Sequence, residues 1–405
     1  MVNGASLIIR ESSCESMERN SHYNIKRKLC SIKKKCHMKL YLIFLLCLVF
    51  PESGLSQNAG GMINRPQKNR KTNKSGIVVA KKQSDNRFVK TFTRYDFAGD
   101  FSEGFAEVKL NGKYGFIDKT GREVIPCKYD DAESFHEGFA AVKLNGKYGF
   151  IDKTGREVIP CKYDYTFKFS EGFAAVKLNG KCGFIDKTGR EVIPCKYDIA
   201  VEFSESLAGV KLNGKCGFID KTGREVIPCK YEAAGEFSES LAGVKLNGNR
   251  GFIDKTGREV IPCKYVYTSM LFSEGFAAVK LNGKYGFIDK TGREVIPCKY
   301  DHARGFSEGL AAVMLNGKDG FIDKTGREVI PCKYDDAESF HEGLAAVELN
   351  GKYGFIDKTG REVIPCKYDY TFKFSEGFAA VELNGKYGFI DKKGKPLLIN
   401  QRVSS

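Results

Sequence analysis

From Tyr95 onward the chain is built of short runs of alternating apolar and polar residues, each closed by a turn. In Phe105-Ala106-Glu107-Val108-Lys109-Leu110 the alternation places Ala106, Val108 and Leu110 on one face, as a half-buried strand requires. Asn111-Gly112 supplies the two positive φ angles of a type I′ hairpin turn, and Lys113-Tyr114-Gly115-Phe116-Ile117-Asp118 reads as the returning strand. Lys119-Thr120-Gly121-Arg122 is a second turn, with Gly121 suited to a left-handed conformation. Glu123-Val124-Ile125 is a short third strand that Pro126, lacking an N–H, ends or marks as an edge. The unit is a three-stranded meander, too small to be stable alone.

That unit recurs nine times. Its turn asparagines are Asn111, Asn145, Asn179, Asn213, Asn247, Asn282, Asn316, Asn350 and Asn384, spaced by 34 residues and once, between Asn247 and Asn282, by 35. Tetratricopeptide repeats share this period, but Asn-Gly and Thr-Gly interrupt any helical pattern about every ten residues. The fold class is therefore all-β, a tandem array across residues 91–398. Propeller blades usually have four strands and about forty residues, and propellers usually close with four to eight blades. Nine shorter units predict an open, superhelical, solenoid-like array, with a β-propeller-like ring as the alternative.

Composition changes this picture little, but charge distribution matters. The net charge of +15 suggests a nucleic-acid partner, yet residues 1–90 hold 18 Lys or Arg against 5 Asp or Glu. The remainder is almost balanced, and an evenly mixed surface neutralises phosphates poorly, so nucleic acid is not expected as a partner of the array. Met38-Lys39 followed by the apolar run 40–50, Pro51 and Gly54-Leu55-Ser56 has the layout of a secretory signal peptide cut before Gln57. Eleven apolar residues are too few to span a bilayer, so no transmembrane anchor is expected in the mature form. Residues 1–56 read as basic leader plus signal peptide, with Met38 as the true start. Residues 57–90, with nine bases and one acid, read as a disordered linker, and 399–405 as a tail. The predicted location is extracytoplasmic.

The string Gly112-Lys113-Tyr114-Gly115-Phe116-Ile117-Asp118-Lys119-Thr120-Gly121-Arg122-Glu123-Val124-Ile125-Pro126-Cys127-Lys128-Tyr129-Asp130 resembles the WG-repeat family of bacteria, over about residues 95–398. The residue that names the family is changed: the Trp expected before Gly is Tyr114, Tyr148, Cys182, Cys216, Arg250, Tyr285, Asp319, Tyr353 or Tyr387. The resemblance implies an often exported β-repeat protein and carries over no catalytic residue.

Comparison among the nine copies separates scaffold from variation. Phe116, Ile117, Val124 and Ile125 recur as core residues should, whereas the Tyr114 position accepts Tyr, Cys, Arg and Asp, which predicts partial exposure. The connector after each Lys-Tyr pair also varies: Asp130-Asp131-Ala132-Glu133-Ser134, then Asp164-Tyr165-Thr166-Phe167-Lys168, then Asp198-Ile199-Ala200-Val201-Glu202. Constant scaffold with variable connectors is how repeat proteins build recognition faces, although exposed loops also drift without function. The candidate partner-contact residues are Tyr114, Tyr148, Tyr285, Tyr353, Tyr387, Tyr165, Phe167, Tyr370 and Phe372.

Catalytic chemistry finds no footing. Asp118-Lys119-Thr120-Gly121 matches the phosphorylated motif of cation-pumping ATPases, but it occurs eight times, always between strands, as a turn would. His136, His302 and His341 lie in connectors, and His136 and His341 are copies of one another. Cys127, Cys161, Cys195, Cys229, Cys263, Cys298, Cys332 and Cys366 hold one repeat position without the close spacing zinc demands, and read as buried small hydrophobes. No metal, cofactor or catalytic residue is assigned. The expected function is a non-catalytic exported protein presenting a β-surface to a protein or an envelope polysaccharide. Glycan binding is the sharper variant, and a hydrolase using Asp118 or Glu123 the opposing one.

Overall fold

The structure is a computed structural model that describes residues 94–398. The leader, signal-peptide, linker and tail readings lie outside the described residues. Within them, every regular element is a strand. The nine-repeat, all-β reading holds, and of the two arrangements weighed the chain adopts the propeller-like ring, not the open array.

Each unit carries one more strand than the sequence pattern predicts. In the first blade β1 (Phe97–Ala98), β2 (Phe105–Leu110), β3 (Lys113–Asp118) and β4 (Glu123–Tyr129) form an antiparallel sheet in chain order. The added strand, β1, comes from the connector, which pairs with β2 through Phe97 opposite Lys109. It lengthens to Tyr165–Ser170 and Ile199–Ser204 in the third and fourth blades. Nor does Pro126 end the last strand. Tyr114 faces Tyr129 and Phe116 faces Ile125, so two steps along β3 are matched by four along β4. Pro126 sits in that bulge, where its missing N–H costs no ladder bond.

The bulge explains the family's second residue. A Cβ on Gly115 would lie 2.5 Å from the Ile125 carbonyl oxygen and 2.6 Å from the Cys127 nitrogen, and Gly183 has the same surroundings. Those are backbone atoms of the bulged strand and cannot swing aside. Gly183→Ala is expected to cost about 3 kcal/mol, the upper part of the overpacking range. Gly180→Ala, at φ +80° with open space around it, should cost only about 1 kcal/mol. Equal losses in chemical denaturation would contradict the close approach as the cause.

The core lies between blades. Phe116, Ile125 and Tyr129 of the first blade pack with Ala132, Phe135, Val142 and Ile151 of the second, the two Phe rings 4.9 Å apart. Eight further clusters repeat this at the other junctions. At the last of them Phe389 of the ninth blade meets Phe101 of the first, ring centroids 5.0 Å apart. Tyr95 pairs with Tyr387 as Tyr129 pairs with Tyr114, and Pro396 bridges Ile390. The fourth strand of the ninth blade is thus assembled from both ends of the array.

Polar contacts close the same circle. The Glu103 carboxylate accepts from the Gly138 N–H at 2.9 Å and pairs with Lys153 at 3.1 Å, both in the next blade. The link repeats at every junction, and its last step joins Glu376 to Gly104 and Lys119. Each Glu of this series sits at positive φ, such as 52° at Glu103, which aims its carboxylate across the junction. Identical junctions impose identical rotations, and nine rotations of about 40° return the chain to its start. The nine Asn-Gly turns lie on one face of the ring, and the Ser-Glu-Gly and Lys-Thr-Gly turns on the other.

The repeated cysteines are half-buried instead of buried, because β4 is the outermost strand and only one side of its bulge is covered. Five of their thiols, those of Cys127, Cys161, Cys298, Cys332 and Cys366, point toward valine carbonyls, as Cys161 does to Val142 at 3.7 Å, and those described are free. Burial and the neighbouring Glu157 carboxylate push the Cys161 thiol up to about 11.

Candidate binding surface at the inner connectors

The first strands stand nearest the axis: Tyr165–Ser170 touches Ile199–Ser204 across a junction, whereas a fourth strand reaches across to the second strand of the next blade. The variable connectors therefore gather around the centre of the ring. Sequence variation and fold point to one place.

The residue at the Tyr114 position lies against these connectors, and the expected partial exposure holds at three of the nine copies only, Tyr285, Asp319 and Tyr353. Tyr114, Tyr148, Tyr387, Cys182 and Cys216 are buried, and Arg250 is only 9% exposed. What allows the variation is compensation by the connector. Tyr148 donates its O–H to Asp131 at 2.8 Å and packs against Tyr165 at 5.3 Å. Asp319 accepts from the Ala337 N–H at 2.9 Å, close to an Arg304 that bridges Asp336 and Glu338. Arg250 lays its guanidinium over the Tyr267 ring at 5.3 Å and donates to the Thr268 carbonyl. The single inserted residue of the array falls in that same connector.

The sequence-derived aromatic residues converge into arcs. Tyr353, Tyr370, Phe372, Tyr387, Phe97 and Tyr114 form an unbroken series of ring contacts across the eighth, ninth and first blades, with centroids 5.3–6.4 Å apart. Phe372 also meets Phe97 edge-on at 6.0 Å. Tyr148, Tyr165 and Phe167 make a second arc, and Tyr285 stands between Tyr267 and His302. Tyr165, Phe167, Tyr285, Tyr353, Tyr370 and Phe372 are half-buried, so part of each ring faces outward. Tyr114, Tyr148 and Tyr387, expected to be exposed, instead form the floor.

Carboxyl groups border these arcs. Tyr387 donates to Glu382 at 2.8 Å, and Tyr165 to Glu133 at 3.2 Å. Burial, with Asp131 nearby, pushes Glu133 up to about 7, and burial alone takes Asp100 to about 6. Glu107 is buried and rises to about 8, although Ser134 donates to it at 2.9 Å. Its carboxylate occupies the space a side chain at Gly99 would need. Sequence reasoning passed over Glu107 and Phe97; the available signal was that the other copies carry Ala or Gly where the first has Glu107. Asp118, by contrast, is tied into its turn. It accepts from Thr120 and Arg122, and these bonds hold its carboxyl below the usual range despite partial burial. A carboxylate so held is a poor proton donor. Among the described residues, no group of three or more His, Cys, Asp or Glu is placed to hold a metal ion.

A family model described as the WG containing repeat matches the chain nine times, from residues 84–114 to 353–387. No curated protein matches it. Among solved structures, a eukaryotic initiation factor is similar over 72% of this chain and 93% of that one, at 11% identity and a TM-score of 0.53. Porphyromonas gingivalis dipeptidyl peptidase 4 covers 75% of this chain and 65% of its own, at 9% identity and a TM-score of 0.43. The extracellular domain of a putative one-component system from B. thetaiotaomicron covers 76% and 54%, at 11% identity and a TM-score of 0.34. At such identities the initiation-factor match concerns fold alone.

Proposed function

The chain belongs to the WG-containing repeat family, and from that premise we propose that it is an exported, non-catalytic ring that binds a cell-envelope polysaccharide through its inner connectors. The observation that carries this reading is the arc from Tyr353 to Tyr114, whose half-buried rings stand beside carboxylates that can accept hydrogen bonds from hydroxyl groups. Flat apolar rings flanked by acceptors suit the two kinds of surface a sugar offers. The signal-peptide layout of residues 38–56 supports an extracytoplasmic site of action.

The test is capture of the purified chain on immobilised envelope polysaccharides. Tyr370→Ala combined with Phe372→Ala is expected to weaken capture at least tenfold while leaving the circular dichroism spectrum unchanged. Undiminished capture by that variant would refute the reading. Assaying new reducing ends in the same samples addresses the opposing class. Steady release would replace binding with hydrolysis and direct attention to Asp100, Glu107 and Glu133, whose raised carboxyls suit a general acid.

A further inference from the structure

The near-neutral balance of the array conceals a separation of charge between its two faces. On the Asn-Gly face a typical blade brings three bases, at the positions of Lys109, Lys113 and Lys128, against the single acid of the Asp96 position. On the opposite face it brings three acids, as Glu103, Asp118 and Glu123, against two bases, as Lys119 and Arg122. Lysine fills the first of the three basic positions in blades one to six and gives way to Met314, Glu348 and Glu382 in the last three. The basic excess is therefore greatest over the first six blades. Even mixing along the sequence becomes segregation in space because hairpin tips alternate between the faces.

The same face carries exposed apolar residues. A leucine precedes every Asn-Gly turn; Leu281 is 42% and Leu349 37% exposed, and the other seven are half-buried. Val266, which replaces the acid of the Asp96 position, is 73% exposed. Asn249 replaces the lysine that would have paired with that acid, as Lys147 pairs with Asp164 at 2.6 Å elsewhere. Both members of one ion pair are thus missing, and an apolar tip stands in their place. Of the four large apolar residues most exposed among those described, three lie here.

We infer that the Asn-Gly face docks on an anionic phospholipid bilayer. The ring sets its nine hairpin tips at one level, so Leu281, Leu349 and Val266 can enter the interface while the lysines reach the phosphates around them; six of the other leucines pack into the blade junctions. Each lysine near such a surface contributes about 1 kcal/mol, which makes a ring of them effective where one would be negligible. A soluble polyanion would satisfy the lysines but leaves Leu281, Leu349 and Val266 in water. The opposite face, with its acidic excess, faces away. Lys109, Lys143 and Lys280 lie over the Tyr114, Tyr148 and Tyr285 rings at 4.8–5.1 Å, so the inner rim of this face adjoins the sugar surface proposed above.

The experiment mixes the full chain with phosphatidylcholine vesicles, with or without phosphatidylglycerol, and measures co-sedimentation. Binding is expected only with the anionic lipid, weakening as salt rises from about 0.1 M to about 1 M and the Debye length falls from about 10 Å to about 3 Å. Lys162→Glu, Lys196→Glu and Lys230→Glu together should reduce binding at least tenfold. Arg156→Glu, Arg190→Glu and Arg224→Glu on the other face should leave it unchanged. Because the chain has no Trp, Leu281→Trp gives a single reporter whose emission should shift to the blue on anionic vesicles, whereas Arg224→Trp should not respond. Binding that survives the lysine substitutions overturns the inference, since it would come from another segment. Equal loss from both triple variants does so too. Retained binding with no shift for Leu281→Trp, and competition by a DNA duplex, would replace the bilayer with a soluble polyanion.

Discussion

Phe389→Ala in the ninth blade is expected to destabilise the protein as much as Phe218→Ala in the fourth, each by about 3–5 kcal/mol. Both rings are fully buried at a junction, Phe218 against Phe237 at 4.8 Å and Phe389 against Phe101 at 5.0 Å. In an open array the last copy would lack a following neighbour, and its Phe would be partly exposed and cheap to remove. A closed ring has no last copy. Calorimetric unfolding of the two variants decides the matter: a markedly milder effect at Phe389 would contradict closure. Losing any junction breaks the cycle of Glu–Lys links as well, so the transition should remain a single cooperative step.

The second large effect concerns pH. Glu107 has a folded-state value of about 8, against about 4.5 for an unfolded glutamate, so between these values the folded protein holds the extra proton. Its contribution to stability is present below the unfolded value and is lost as pH rises through the folded one. Burial causes the shift, with Asp100 and Glu133 adding repulsion, and the Ser134 hydroxyl offsets only part of it. Glu107→Gln removes the titration while keeping the shape. The variant is expected to match the parent near pH 4 and to exceed it at pH 8 by on the order of 4 kcal/mol. Denaturant titrations at the two pH values measure this. Parallel pH profiles for parent and variant would show that the carboxylate finds water or a cation in solution.

Six of the clamp carboxylates, Glu103, Glu137, Glu205, Glu239, Glu308 and Glu376, act in the opposite sense. Lys153 and the Gly138 N–H hold Glu103 below its ordinary value, despite the raising effect of partial burial. Such groups contribute stability above the unfolded value and lose it as pH falls through the folded one. Each pair is largely exposed and individually weak. The nine links together orient the ring more than they stabilise it.

Much of the fold could be read along the chain because its causes are local. Alternation fixed one face of β2, Asn111-Gly112 fixed the hairpin, and recurrence fixed the number of units. The fourth strand escaped notice because β1 is two residues long in most blades and has no periodicity of its own. It forms only because β2 already offers an edge. Of the two readings of Pro126, strand end and edge marker, the second holds: it sits in a bulge, visible only in the register, of the edge strand β4.

At the candidate site, the sequence identified the variable positions correctly and their partial exposure at three of the nine copies only. Arg250 is buried and Asp319 half-buried, and in the ring each finds its partner on the adjoining connector, with Tyr267 for one and the Ala337 N–H for the other. Those partners lie 17 and 18 residues away along the chain and become neighbours where adjacent blades pack together. The sequence alone determined the repeat, the strands with the inward face of β2, and the identity of the variable residues, since these depend on interactions within a few residues. Only the tertiary structure decided that the ends meet, that the connectors surround an axis and that a neutral array has one basic and one acidic face. Those outcomes depend on the angle at each junction, a small quantity that no single repeat reveals and that nine repeats add up to a full turn.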